Sequence, residues 1–139
     1  MVLQLHDRIE GITVPLEVEQ LDEQTFRLLD NHIYERHLTR GTEIRVQPMV
    51  DGTYELVSVS KSSEFVSRRF RLSSKYTESD YRVLGDELEK CGGYWQVDFN
   101  CFLTVNIPRD LPYDVDKVMA TLDLQLWEDV DDHGSGTNQ

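Results

Sequence analysis

Carboxylates are the most abundant reactive groups in this chain. Its 139 residues hold 26 Asp and Glu against 14 Lys and Arg, a formal net charge of −12. A carboxylate pair can do general acid–base work where a cleft raises one pKa, and Glu17, Glu19 and Glu43, joined by Asp98, are placed to share one sheet face. In so acidic a chain such pairs also arise by accident. His32 and His37 flank Glu35, a metal-ligand set by type, but a spacing of five does not bring both rings to one helix face. The plainer reading is two solvated loop histidines, and no metal is expected. Cys91 falls on an apolar helical face as a small hydrophobe, and Cys101 lies in a loop as the more accessible thiol. Neither has a base nearby in sequence, and no phosphate loop, nucleophile elbow or HExxH occurs. The chain reads as non-enzymatic and without a cofactor.

Two charge concentrations remain as candidate binding surfaces. Arg45, Arg68, Arg69 and Arg71, with Arg36 and Arg40, are the basic one. They either pair with Glu43, Glu55 or Glu64 across neighbouring strands or form an anion site on the sheet. The acidic one is lopsided: residues 1–73 carry 12 acids against 9 bases, a net of −3, and residues 74–139 carry 14 against 5, a net of −9. Much of that excess is on the outward faces of two expected helices (Glu78, Asp86, Glu87, Glu89; Asp116, Asp123) and in Glu128, Asp129, Asp131 and Asp132. A solvated face explains it; so does a docking face for a basic protein, with Tyr94 and Phe102 as aromatic anchors. Nucleic acid is disfavoured, because its phosphates would meet a repulsive field.

The elements that must position these groups follow from pattern. Asp51-Gly52 is a strong hairpin signal within residues 41–60. A two-residue turn there sets Val50 opposite Thr53, Val46 opposite Val57 and Ile44 opposite Val59. Residues 1–8 read as a short lead. Alternation marks strands at 11–19, 25–29 and 65–72, with Pro15 making the first an edge strand or a broken one. Residues 31–40 lose the alternation and suggest one helical turn. About five strands with almost no helix indicate a small antiparallel barrel.

After Ser73 the period changes. Tyr81, Leu84, Leu88 and Cys91 mark an amphipathic helix that starts near Thr77 and stops at Gly92-Gly93. Gly85 inside it hints at close packing. A hairpin follows, Trp95, Val97 and Phe99 facing Leu103, Val105 and Ile107 across the loop Asn100-Cys101-Phe102. A second helix begins near Asp114, carries Val115, Val118, Met119 and Leu122, and extends toward Leu126. The expected fold is α+β: the barrel, then a β-α-β-β-α unit of ferredoxin-like type. Residues 1–127 form one domain with sub-lobes 1–73 and 74–127, and residues 128–139 are an acidic flexible tail.

The order of features resembles a family of small bacterial domains of unknown function, DUF4265. The residues that carry the likeness are the strand ending LLDN, the Gly41-Thr42-Glu43 opening of the hairpin, FVSRRFRL, the Gly-Gly turn, the strand ending NIPRD and the closing helix with Leu122. It spans about residues 14–122. The resemblance implies the architecture and a bacterial origin, and supplies no reaction.

With 39% hydrophobic residues, 9% aromatics and no apolar run of about 20, the chain reads as a globular protein that does not span a membrane. The start MVLQLHDRIEG has neither a basic n-region nor an apolar h-region, so a cytoplasmic location is expected. Two cysteines are too few for a disulfide framework. The function this favours is a non-enzymatic interaction module, such as an immunity or inhibitor protein that neutralises a basic partner. The alternative is an enzyme or small-ligand sensor on the barrel face near the Arg cluster.

Overall fold

Leu3 and Leu5 alternate with Gln4 and His6, a half-buried strand pattern. In the computed structural model, which describes residues 1–129, Val2–Asp7 is indeed strand β1 and not a lead. It is followed by β2 (Ile12–Gln20), β3 (Thr25–Leu28), β4 (Glu43–Pro48) and β5 (Tyr54–Lys61). Each strand pairs antiparallel with the next, and β1 closes the barrel by a short parallel contact with β5, Leu5 beside Tyr54 and His6 beside Glu55. Inward residues of every strand fill it, among them Leu3, Leu16, Phe26, Leu28, Ile44 and Val46. Closure leaves no free strand along most of the sheet.

Pro15 neither breaks β2 nor puts it at an edge. The Val18 amide donates to Met1 O of the β1 side, so by alternation the Pro15 nitrogen points away from β1. On that side β3 pairs only with residues 18–20, so the missing donor costs no hydrogen bond. The β4–β5 hairpin also differs from its expected register. Ile44 does face Val59, but Val46 faces Leu56, because bulges interrupt the ladder. The turn is longer than two residues: the Asp51 carboxylate accepts from the Thr53 amide and hydroxyl, and Met49 N donates to Thr53 O. Val57 is consequently exposed. Residues 31–40 form turns and bends without a helix.

The second unit begins at Phe65, ahead of the change of pattern at Ser73. Strand β6 (Phe65–Arg71) belongs there because its whole length pairs with β8 (Phe102–Pro108). The sheet order is β7-β8-β6-β9, with β7 at Tyr94–Asp98 and β9 at Trp127–Glu128. Residues 128–129 are therefore not tail: β9 pairs with β6, and the Asp129 amide donates to Arg69 O. With β9 the unit is a complete β-α-β-β-α-β ferredoxin-like layer. The rest of the expected tail, Asp131 and Asp132 included, lies outside the described residues.

Helix α1 (Glu78–Lys90) starts at Thr77, whose amide donates to Asp80 Oδ2 at 2.7 Å, and ends where Gly92 turns to φ +87°. It buries Tyr81, Leu84, Gly85 and Leu88 on the sheet. Cys91, expected on that face, is the exposed C-cap, because the helix ends before the face returns. Helix α2 (Val115–Thr121) is capped by Asp114, which accepts from the Lys117 amide; Leu122 is its C-cap, so Leu126 lies beyond it.

In the β7–β8 hairpin Trp95 and Val97 share a face as expected, but the register sets Trp95 opposite Val105 and Val97 opposite Leu103, and Phe99, expected on that face, is exposed. The loop is therefore Phe99-Asn100-Cys101, and it forces φ +55° on both Phe99 and Asn100. Asparagine tolerates the left-handed region; a bulky phenylalanine does not. Phe99→Gly should stabilise the protein by about 1 kcal/mol, read as a higher urea midpoint at unchanged slope.

Candidate functional site

A cleft of about 640 Å³ opens on the first unit, within the size range of small-ligand sites. Two segments that break the strand pattern build it. The first is the β1–β2 turn, where Asp7 Oδ1 accepts from the amides of Ile9 and Glu10, and Gly11 N donates to Asp7 O. Gly11 takes φ +69°, which this tight reversal needs. The turn holds Arg8 and Ile9 out at the rim.

The second segment is the β3–β4 loop, tied down from inside. His32 Nδ1 accepts from the amides of Tyr34 and Glu35, at 3.0 and 2.9 Å, so the ring proton sits on Nε2. The His32 amide donates to Leu38 O, and Asn31 Oδ1 accepts from the Arg40 amide. Leu38 is fully buried, as is His32, so His32 is a structural core residue and not a solvated one. His37 is exposed and lies 3.4 Å from Glu35. Among the described residues no three His, Cys, Asp or Glu are grouped to hold a metal ion.

On the barrel wall stands Glu55, only 8% exposed. Its Oε1 accepts from Arg8 Nη2 at 3.0 Å and from Gln47 Nε2 at 3.3 Å. Among the described residues nothing donates to its Oε2. Around the cleft stand four carboxylates, Asp7, Glu10, Glu35 and Glu55, against one guanidinium, with Leu5, Leu38 and Leu56 as apolar wall. Reading residues 1–8 as a lead hid this site; the Leu3, Leu5 alternation running into Asp7 and Gly11 was the signal for it.

The residues singled out by sequence are distributed differently. Arg45 is on the barrel, whereas Arg68, Arg69 and Arg71 are on the second sheet, so no four-arginine surface forms on the barrel. Arg68 is held by two carboxylates: Nη1 and Nη2 donate to Asp116 at 3.0 Å, and Nε and Nη2 donate to Glu128 at 3.0 and 2.8 Å. Arg69 stacks over Phe102 at 5.1 Å, and Arg71 lies 3.7 Å from Asp129. Glu19 and Glu43 do meet, both pairing with Arg27, while Asp98 is on the other sheet.

On the acidic helices, Glu78 pairs with Arg82, Glu87 with Lys90 and Asp116 with Arg68. Glu89 accepts from the Trp95 indole at 2.7 Å. Asp86 and Asp123 are exposed. Tyr94 and Phe102 lie on the helix-free face of the second sheet, both half-buried. The charge imbalance disappears when the chain is divided where it folds: residues 1–64 hold 12 acids against 6 bases, and residues 65–139 hold 14 against 8, a net of −6 each. The three arginines of β6 account for the difference.

The Arg68 hydrogen bonds hold the Asp116 carboxyl below its ordinary range. A carboxyl whose pKa is lowered by folding contributes stability above its unfolded pKa and loses it as pH falls. Acid titration below about pH 4 should therefore lower the stability of the wild type more steeply than that of Arg68→Met, followed by thermal melting across that range.

Comparison with known proteins shows the fold alone. No family model matches the chain, and no curated protein matches it. Among solved structures it is similar to a hypothetical protein from Neisseria gonorrhoeae, at 13% identity over 88% of this chain and 87% of that one, with a TM-score of 0.59.

Proposed function

We propose that this chain is a non-enzymatic interaction module for a basic protein partner, received at the cleft of the first unit. The observation that carries the reading is the cleft itself, four carboxylates facing one guanidinium beside an apolar wall. That combination suits a cationic side chain with an aliphatic stem. Its histidines serve the fold: His32 Nδ1 is spent on backbone amides, and His6 Nδ1 on the Thr13 hydroxyl. Exposed carboxylates elsewhere, such as Asp86 and Asp123, add long-range attraction. An immunity or inhibitor protein that neutralises a basic toxin is one concrete form of this proposal, and a bacterial protein akin to DUF4265 is its proposed setting. A small cationic ligand in the same cleft is the second reading, favoured by its volume.

The test is stopped-flow association with a short arginine-rich peptide. Association should slow steeply as the screening length falls from about 30 Å at 0.01 M salt to about 10 Å at 0.1 M. Glu55→Lys should accelerate dissociation, and Asp86→Lys should slow association alone. Rates that ignore salt and both substitutions would remove the basic partner from the account.

A further inference from the structure

We propose that Arg8 is a resident occupant of a guanidinium seat at Glu55, and that an arginine side chain of the basic partner displaces it. This deepens the proposed function and rests on its basic-partner reading. Three observations lead to it. The Glu55 side chain is only 10% exposed at the cleft wall, an environment a carboxylate tolerates only with compensating partners. Oε1 accepts twice, whereas Oε2 accepts from no described residue and is not sealed from solvent, so it stays open to a donor in the cleft. The cation that holds Oε1 comes from an arm whose side chain is 77% exposed, carried on the β1–β2 turn.

The asymmetry of burial decides which member of this pair is replaceable. Glu55 is fixed by the barrel on both sides, opposite His6 of β1 and Gln47 of β4. Arg8 can leave into water at almost no cost in packing, and an ion pair with one exposed partner is worth little. The single contact from Arg8 Nη2 shows that a guanidinium nitrogen reaches the carboxylate at 3.0 Å. An incoming guanidinium could engage both oxygens in the planar fork that an ammonium cannot form. Its methylene stem would lie along Leu56, Ile9 and Tyr34, the lining residues with apolar surface left exposed. The seat therefore prefers arginine over lysine, and Arg8 sets the threshold a partner must exceed.

Isothermal titration of the full chain with N-acetyl-arginine amide tests this, with the uncharged isostere N-acetyl-citrulline amide as control. Arg8→Ala should bind the arginine probe up to about fivefold tighter than wild type, the range an exposed ion pair commands. Glu55→Gln, which keeps the side-chain shape, should abolish binding, and citrulline should bind none of the three proteins. If Arg8→Ala binds no tighter while Glu55→Gln still abolishes binding, Arg8 is no competitor; the inference falls and the basic-partner reading survives. If no protein binds the arginine probe, the seat itself is refuted. Equal binding of citrulline would likewise refute it.

Discussion

Gly85→Ala should destabilise the second unit, although alanine is the better helix former by about 1 kcal/mol. Gly85 lies on the buried face of α1, directly under the Trp95 indole. A Cβ there would stand 2.5 Å from both Trp95 Cδ2 and Nε1, closer than atoms approach. The indole cannot move aside freely. Its Nε1 donates to Glu89, its edge meets Tyr81 at 6.2 Å, and Arg82 stacks over it at 5.5 Å. Overpacking of this kind costs about 1–3 kcal/mol, so the steric loss exceeds the propensity gain. The check is a double-mutant cycle by urea unfolding. In a Trp95→Leu background the alanine should become neutral or stabilising, because the clash is gone while the propensity remains.

His32→Ala should likewise destabilise, by about 1–3 kcal/mol. The imidazole does two jobs in the β3–β4 loop. Nδ1 accepts from two consecutive amides, Tyr34 and Glu35, and the ring packs edge-on against Tyr34 with centroids 6.3 Å apart. Alanine would leave both donors without their acceptor and open space beside Leu38. Asparagine, which keeps an acceptor, should recover part of the loss. The same variants report on the cleft, since this loop forms one wall of it. Chemical denaturation followed by amide exchange at Tyr34 and Glu35 separates local opening from global unfolding.

What could be read from sequence here was whatever rests on local pattern. The α1 boundaries followed from Thr77, Asp80 and Gly92, and the tight packing at Gly85 from the oddity of a glycine on a buried helix face. Inward and outward faces of β7 and β8 were legible because side-chain alternation survives a register shift of two. Register itself was not. The bulges in β4–β5 and the long Asp51 turn depend on backbone and side-chain hydrogen bonds that no alternation encodes. The two-residue strand β9 is too short to show a period.

The site was hidden for a related reason. Arg8 and Glu55 are 47 positions apart, and only the parallel closure of β1 on β5 brings their neighbourhoods together. The acidic half, by contrast, looked meaningful only while the boundary stood at Ser73. With β6 assigned by its pairing to β8, each unit carries −6. Total charge does not tell the two units apart; the barrel cleft is distinguished by the four carboxylates that line it.

The most direct test of the basic-partner account is a nitrogen-15 amide map of the intact chain titrated with an arginine-rich peptide. The account predicts saturable shifts gathered at residues 6–10, 34–35 and 55–56, and their loss in Glu55→Gln. Largest shifts on α1 and α2, or weak unsaturable shifts spread over both units, would contradict it.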